Sequence, residues 1–127
     1  MAQINGRKIM VMDSISVVTP EETGAVVVSA SHGGVSSAEF ALKYPLAAAF
    51  FNDAGFGKDE AGAAALSLLE DVGVSAATVS YMTARIGDCR DTWANGVVSR
   101  ANGQATRRGV APGQTVREAA ERLAASL

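Results

Sequence analysis

Several residue types are scarce in this sequence, and each scarcity excludes a class of protein. One cysteine among 127 residues excludes an internal disulfide framework, and one cysteine with one histidine is too few for a structural zinc site. The 11 basic and 13 acidic residues give a net charge of −2 and form no basic block, so we expect no nucleic-acid partner. The apolar runs are far shorter than a membrane span, so we expect no membrane partner.

Two further features bear on location and assembly. The first thirteen residues, MAQINGRKIMVMD, lack the apolar core of a signal peptide, so we expect a cytoplasmic protein. Hydrophobic residues make up 48% of the chain and charged residues only 19%, which is apolar for a small protein. Because such an excess is often buried between subunits, we expect a homo-oligomer. The length suits one domain, residues 1–127.

The order of hydrophobic segments predicts an α/β fold. A strand, a loop and a helix follow one another three times from Ala25 onward, which is typical of a parallel sheet. We predict a small three-layer domain, Rossmann-like, with a mostly parallel sheet of about four strands and helices on both faces. The predicted strands cover residues 8–18, 25–29, 46–51 and 74–82.

Local signals give more detailed predictions. The segment between the first two predicted strands is too short for a parallel crossover, so the first strand should be antiparallel to the second or not its neighbour. The four-residue spacing of Trp93, Val97, Ala101 and Ala105 predicts a helix over about residues 91–108, although two Asn-Gly pairs there also favour turns. Capping-box patterns predict helix starts at residues 19–22, 36–39 and 115–118.

Chemically versatile residues are concentrated in three loops that follow predicted strands. These loops read SASHGGVSS, NDAGFGKDE and TARIGD. Ligands of open α/β sheets bind outside the carboxyl ends of the strands, so the three loops together predict a small-molecule site. Polar residues also collect in loops without any function, and that alternative stays open.

The first loop carries the only histidine of the chain. We expect His32 to act as an acid or base and Ser31 to contact the substrate. Gly33 and Gly34 offer backbone N–H groups to an anion at a helix start, and Ser36 and Ser37 add two hydroxyls, of which Ser36 is the predicted substrate contact. The alternatives are a tight strand-to-helix turn and a histidine that only makes a local hydrogen bond.

The second loop does not match the nucleotide-binding patterns. A P-loop needs glycine where Asn52 stands and Ser or Thr where Asp59 stands, and a dinucleotide motif needs glycine in place of Glu60. We therefore expect no nucleotide and no other cofactor. Asp53 and Lys58 are further catalytic candidates, and Asn52 is a candidate substrate contact. Asp53 could orient His32 or bind a substrate hydroxyl, and Lys58 could pair with an acidic substrate or with Asp53.

The third loop supplies the predicted anion clamp. The guanidinium of Arg85 can hold a carboxylate or phosphate through two parallel hydrogen bonds, and Asp88 lies close to it in sequence. A salt bridge from Arg85 to Asp53, Asp88 or Asp91 is the structural alternative. We assign no metal ligands, because one histidine and one cysteine are too few for a structural zinc site. His32, Asp53 and Asp88 could together hold a divalent metal such as Mg²⁺, and that alternative stays open.

Two functions from different classes fit these observations. The first is a small enzyme that acts on an anionic metabolite next to a carbonyl group, as a hydrolase, lyase or isomerase, with His32 and Asp53 moving a proton. The second is a non-catalytic module or oligomeric subunit that uses the same loops to bind a ligand. A hydrogen bond between His32 and Asp53 or another site group would favour the enzyme.

Overall fold

The computed structural model describes residues 2–4 and 7–126, and the α/β class predicted from the sequence is confirmed. One mixed sheet contains six strands in sequential order, where about four were predicted. The four central strands, β2 to β5, are parallel, and the two outer strands are antiparallel to their neighbours. The strands are β1 (Ala2–Ile4), β2 (Arg7–Met12), β3 (Val26–His32), β4 (Ala48–Asn52), β5 (Ser75–Val79) and β6 (Val98–Ala101).

Five α-helices are present in the described part of the chain, and all but the last are short. They are α1 (Val35–Ala41), α2 (Ala64–Glu70), α3 (Cys89–Asn95), α4 (Gly103–Arg107) and α5 (Val116–Ser126). Short 3₁₀ segments cover Ile15–Val17, Pro20–Glu22 and Lys58–Ala63. No helix of the described residues has the length and apolarity that crossing a membrane requires.

The first crossover corrects a prediction. β2 and β3 are parallel neighbours, with Ile9 opposite Val26 and Met12 opposite Ser29. The expectation of an antiparallel or distant first strand is wrong, because the strand ends at Met12 rather than at residue 18. Residues 13–25, including two 3₁₀ turns, then supply the dozen or so residues that a parallel crossover needs.

The predicted long helix over residues 91–108 is also wrong. That segment forms α3, then β6, then α4, with both breaks at Asn-Gly pairs. Asn102 is the clearest cause, because its side-chain oxygen caps α4 by accepting from the Ala105 amide at 3.0 Å. The same oxygen accepts from Ala76 in β5, which fixes the turn against the sheet.

Alternation along the strands produces two cores on opposite faces of the sheet. Val26, Val28 and Phe50 pack with the apolar face of α5, where Val116, Ala119 and Leu123 are fully buried. Ala105 of α4 belongs to the same core. Val27, Ala49 and Phe51 pack on the other face with α1, α2 and the residues of the first crossover. β3, β4 and β5 are therefore buried on both faces of the sheet, whereas β2 is only partly buried.

Two of the three predicted capping boxes hold side-chain caps. Thr19 and Glu22 cap one another's backbone in the segment Pro20–Glu22, and Thr115 accepts from the Glu118 amide at the start of α5. The third, at residues 36–39, does not form. α1 begins two residues earlier than that pattern predicts, with Gly34 as its N-cap and no side-chain cap.

The connection after β5 shapes the carboxyl edge of the sheet. The crossovers between β2 and β5 all pack on one face, whereas residues 80–88 lead across the edge to α3 on the other face. The Gly87 amide donates to the Ala30 carbonyl in β3 at 2.8 Å, and the Cys89 amide donates to Oδ1 of Asp13 after β2 at 2.9 Å. A cleft opens where this loop diverges from α1 and the first crossover.

A serine-lined cleft as the candidate functional site

The cleft at the carboxyl edge has a volume of about 320 Å³. Its walls come from the turn after β2, the end of β3, the start of α1 and the loop after β5. Apolar surface from Ile15, Phe40 and Ile86 surrounds a polar lining. That polar lining consists of five serines, one histidine and one aspartate: Ser14, Ser16, Ser31, Ser36, Ser37, His32 and Asp13.

Ser37 is the unusual member of the serine set. Its residue is only 4% exposed, it lines the cleft, and its hydroxyl has no hydrogen-bond partner among the described residues. No fully enclosed nitrogen or oxygen of a described side chain lacks a partner, so this hydroxyl keeps some surface in the cleft. Buried polar groups are nearly always hydrogen-bonded, and an unpaired one needs an explanation. Because this hydroxyl keeps surface in the cleft, its partner is a molecule there, either water or the atom of a ligand that displaces water.

Three other serines form a connected group on the opposite wall. Ser31 accepts a hydrogen bond from the Ile15 amide at 2.9 Å, and this contact ties the end of β3 to the first crossover. The Ser14 and Ser16 hydroxyls are 2.7 Å apart, and Ser31 reaches Ser14 at 3.5 Å. Because each hydroxyl both donates and accepts, such a group can turn its protons toward a ligand oxygen.

His32 ends β3 and is exposed at the rim of the cleft. Its Nδ1 accepts a hydrogen bond from the Gly34 amide at 3.0 Å. A neutral imidazole that accepts at Nδ1 carries its proton on Nε2, so the ring offers a donor to a ligand. Use of Nδ1 as a base would require loss of the contact with Gly34.

Asp53 does not take the role expected from the sequence. Its carboxyl group is buried, and Oδ1 accepts from the amides of Gly55 at 2.8 Å and Tyr81 at 3.1 Å. No hydrogen bond joins Asp53 to His32 among the described residues. Asp53 therefore holds the loops after β4 and β5 together, and His32 is oriented by Gly34 instead.

Asn52 has a similar structural role. Its side-chain nitrogen donates to the Ala84 carbonyl at 3.0 Å, and its oxygen accepts from the Ala54 amide at 2.8 Å. Asn52 is 1% exposed, and both ends of its amide are used within the protein. It supports the loops next to the cleft and does not line the cleft itself.

The two glycines of the first loop differ from the expected anion site. The Gly33 amide donates to the Asn52 carbonyl at 3.0 Å and the Gly34 amide to His32, so both predicted donors are occupied. Gly33 is needed for another reason. A Cβ atom on Gly33 would collide with the carbonyl oxygen of Gly62, because the start of α1 and the segment before α2 touch there.

The predicted cations lie outside the serine-lined cleft. Arg85 lines a separate, more open cleft beside Asp91, and its backbone amide donates to Oδ2 of Asp91 at 2.7 Å. Lys58 is exposed in the segment before α2 and makes no ion pair with another described residue. Asp88 caps α3 by accepting from the Asp91 amide at 3.0 Å. None of these three side chains lines the serine-lined cleft.

Asp13 places a carboxylate at the rim of the cleft. The hydrogen bond from the Cys89 amide is the main reason that the pKa of Asp13 lies below its usual value, and the Cys89 thiol also contributes. Asp13 is therefore ionised at neutral pH. Burial, followed by contact with Asp13, raises the pKa of the Cys89 thiol, so this cysteine is not an activated nucleophile.

The sequence interpretation missed Asp13, Ser14 and Ser16, and it noted the Ser37 hydroxyl without assigning it to the site. The first three fell inside the strand predicted over residues 8–18, although the polar pattern DSIS within that apolar segment was a signal. Ser37 was visible only as one of two hydroxyls at a helix start. Ser31, Ser36 and His32 are the predicted site residues that the structure brings together in this cleft.

The described residues contain no group of three or more His, Cys, Asp or Glu side chains arranged to hold a metal ion.

Comparison with known proteins found no matching family model, and no curated protein or solved structure of significant similarity to this chain. The fold and the serine-lined cleft therefore define the class of this molecule as an α/β domain with a candidate ligand site at the carboxyl edge of its sheet.

Proposed function

We propose that the protein binds a small molecule through a hydrogen-bond-accepting head group, such as a carboxylate, in the serine-lined cleft. The observation that carries this proposal is the Ser37 hydroxyl, which has no partner among the described residues, belongs to a residue that is only 4% exposed and lines the cleft. Two further donors line the same cleft: the Nε2–H of His32 at the end of β3 and the hydroxyl of Ser36 at the start of α1. Clefts that bind small molecules combine an apolar lining with a few such polar groups.

The charges around the cleft narrow the ligand class. No lysine or arginine of the described residues lines the cleft, so the head group is held by neutral donors. The Asp13 carboxylate at the rim repels a second negative charge on the ligand. A monoanion such as a carboxylate, or an uncharged carbonyl compound, therefore fits better than a phosphate dianion.

Propanoate is a suitable probe for the head group. Titration into ¹⁵N-labelled protein should shift the amide signals of Ser31, His32, Ser36 and Ser37, with an affinity of about millimolar for so small a ligand. Ser37→Ala should abolish these shifts. Ser67→Ala removes a hydroxyl from the exposed side of α2 and is the matched control. Equal binding by the Ser37→Ala variant and the unmodified protein would contradict the proposal.

Acid–base catalysis next to a carbonyl group is a second candidate function. The observation that favours it is that the Ser37 hydroxyl and the His32 imidazole line one cleft, so two donors can face one carbonyl oxygen. Such donors stabilise the negative charge that develops on that oxygen when a neighbouring proton is lost. His32 accepts a hydrogen bond from the Gly34 amide, but no described carboxylate or other acid–base group contacts its ring. We therefore prefer binding without catalysis.

Exchange of the methyl protons of pyruvate in D₂O tests the catalytic candidate. The unmodified protein should accelerate exchange, and His32→Asn should remove the acceleration. Asn keeps an acceptor oxygen for the Gly34 amide in the position of Nδ1, so the turn is preserved while the imidazole is lost. If the unmodified protein binds propanoate but exchange proceeds at the rate of buffer alone, the catalytic candidate is contradicted and the binding function stands.

The proposed location and assembly come from the sequence. We propose a cytoplasmic protein that functions as a homo-oligomer. Support for association comes from large apolar side chains on the surface, of which Met82 is the most exposed at 79%. The others among the described residues are Val17, Val35, Leu42, Val72, Tyr81 and Ile86.

A further inference from the structure

A second cleft lies on the other side of His32. It has a volume of about 270 Å³ and is lined by His32, Gly34, Ala54, Phe56, Ala61 and Gly62. Apart from the imidazole, its walls are an aromatic ring, two methyl groups and backbone. His32 lines both this apolar cleft and the serine-lined cleft, so the imidazole is a wall that the two clefts share.

The apolar cleft depends on glycine at two positions. A Cβ atom on Gly34 would come within 2.8 Å of Nδ1 of His32. A Cβ atom on Gly62 would collide with the backbone of Asp53 and approach Cα of Phe56 to 3.1 Å. The absence of side chains at these positions keeps the backbone segments close and the walls of the cleft narrow.

An unfavourable backbone conformation holds Phe56 at this cleft. Residues 54–57 all have positive φ, including the non-glycine residues Ala54 at 51° and Phe56 at 64°. Left-handed conformations of non-glycine residues are costly, and they cluster at ligand sites where the surrounding structure enforces them. Such an outlier supports a functional role for the turn.

Several contacts enforce this turn. Asp53 holds the amide of Gly55, and the Phe56 carbonyl accepts from the Gly62 amide at 2.8 Å. The guanidinium of Arg100 lies 4.1 Å from the centre of the Phe56 ring and is itself bound to Glu60 at 2.8 Å. Arg100 covers the Phe56 ring, and Phe56 also packs against the core on the α1 and α2 face, so its position beside the cleft is fixed. A planar ligand group would therefore meet a preformed apolar surface at this residue.

We infer that the ligand carries a flat apolar group in addition to its polar head, and that this group lies against Phe56 while the head occupies the serine-lined cleft. The inference rests on the proposed function and extends it to a ligand class: small carboxylic acids or carbonyl compounds with an aromatic or similarly flat apolar substituent. The ligand lies across the imidazole of His32 with one end in each cleft, and the Nε2–H of His32 donates a hydrogen bond to its polar head. Two adjoining clefts of opposite polarity fit such a molecule better than a purely polar one.

The matched probes propanoate and 3-phenylpropanoate test this inference, because they differ only by a phenyl ring. Both should shift the amides of Ser36 and Ser37 in ¹⁵N spectra. Only 3-phenylpropanoate should also shift Gly55, Gly57 and Gly62, and it should bind about tenfold more tightly, as burial of part of a ring implies. Phe56→Gly should remove the tenfold advantage and leave propanoate binding unchanged. Glycine adopts the required positive φ without strain, so this variant keeps the turn accessible.

Ala54→Gly is the control for that variant, because it relaxes the same turn and keeps the aromatic ring. It should retain most of the preference for 3-phenylpropanoate. Equal affinities for the two probes, without shifts at residues 55–62, would overturn the two-cleft inference and leave the proposed function standing. Failure of both probes to shift Ser36 and Ser37 would overturn the proposed function, and the inference with it.

Discussion

The buried carboxylate of Asp53 accepts a hydrogen bond from the backbone amide of Tyr81 at 3.1 Å, which joins the loop after β4 to the loop after β5. The same oxygen accepts from Gly55 in the turn that carries Phe56. One side chain therefore stabilises the two loops beside the candidate site. Asp53 positions these loops by accepting hydrogen bonds from the two backbone amides.

Removal of the Asp53 carboxylate should destabilise the protein. Asp53→Ala leaves two amides without their acceptor, and we expect a loss of about 1–3 kcal/mol in the free energy of unfolding. Asp53→Asn keeps an oxygen at the acceptor position and should lose less. Urea denaturation of the three proteins measures the difference. If the alanine variant is as stable as the unmodified protein, the two contacts do not hold the loops.

Gly33 and Gly34 should respond differently to alanine. In Gly33→Ala the new methyl group meets the backbone carbonyl of Gly62, which cannot move independently, so we expect a loss of about 1–3 kcal/mol or more. In Gly34→Ala it meets the exposed side chain of His32, which can rotate away. Thermal unfolding should therefore separate the variants. Similar melting temperatures would contradict this prediction, because they would mean that the segment before α2 moves to make room for the new methyl group.

His32 should contribute little to stability. The side chain is exposed and its only hydrogen bond in the described structure is the contact with Gly34, so His32→Ala should cost at most about 1 kcal/mol. The same variant should weaken propanoate binding, because it removes the Nε2–H donor. A denaturation curve and a titration on one sample test both expectations. Large destabilisation would identify His32 as a structural residue.

The ion pair between Glu60 and Arg100 should make stability depend on pH. The hydrogen bond from the Arg100 guanidinium holds the pKa of Glu60 below its usual value. The folded-state pKa is therefore lower than the unfolded one, and the pair stabilises the fold above the unfolded pKa of about 4.3. This contribution is lost as the pH falls through the folded pKa.

Glu60→Gln tests that pH dependence. The unmodified protein should exceed the variant in stability at pH 7, by a small amount because the pair is exposed. The difference should shrink as the pH is lowered below about 4, where Glu60 becomes protonated in both states. Denaturant titrations across this range measure it. A difference that stays constant with pH would assign the effect to something other than the carboxylate charge.

Light scattering tests the proposed self-association. We expect a mass greater than that of one chain at micromolar concentration, because several large apolar side chains are exposed. Met82→Ser should lower the mass if the loop after β5 lies in the contact, whereas Val72→Ser tests the surface after α2. A single-chain mass for the unmodified protein would contradict the proposal.

The pattern of apolar segments was enough to predict the α/β class and most strands of the parallel sheet. The apolar segments around Val26–Val28 and Phe50–Phe51 are continuous, which indicates strands buried on both faces. The helix start at residue 115 and the caps at residues 19–22 are also local, because a capping side chain binds backbone only two or three residues away. The position of His32 at the end of a strand followed from the same local pattern.

The predictions failed where long-range contacts determine which secondary structure a segment adopts. β2 ends at Met12 because the residues after it turn to pack on α1 and to meet Ser31, a residue distant in sequence. Residues 98–101 became a strand because β5 offered a free edge, which outweighed the helical spacing of Trp93, Val97 and Ala101. These choices depend on long-range pairing, which a local pattern does not contain.

The candidate site shows the same division. Residue types and strand ends placed Ser31, His32 and Ser36 at the carboxyl edge of the sheet, and the structure brings these three together in one cleft. The sequence did not reveal that Asp53 binds two backbone amides, that Arg85 lies in another cleft, or that the Ser37 hydroxyl has no partner in the part of the chain that the structure describes. Each of those facts is set by which groups meet through space, because a hydrogen bond made within the protein determines whether a polar side chain is available to a ligand.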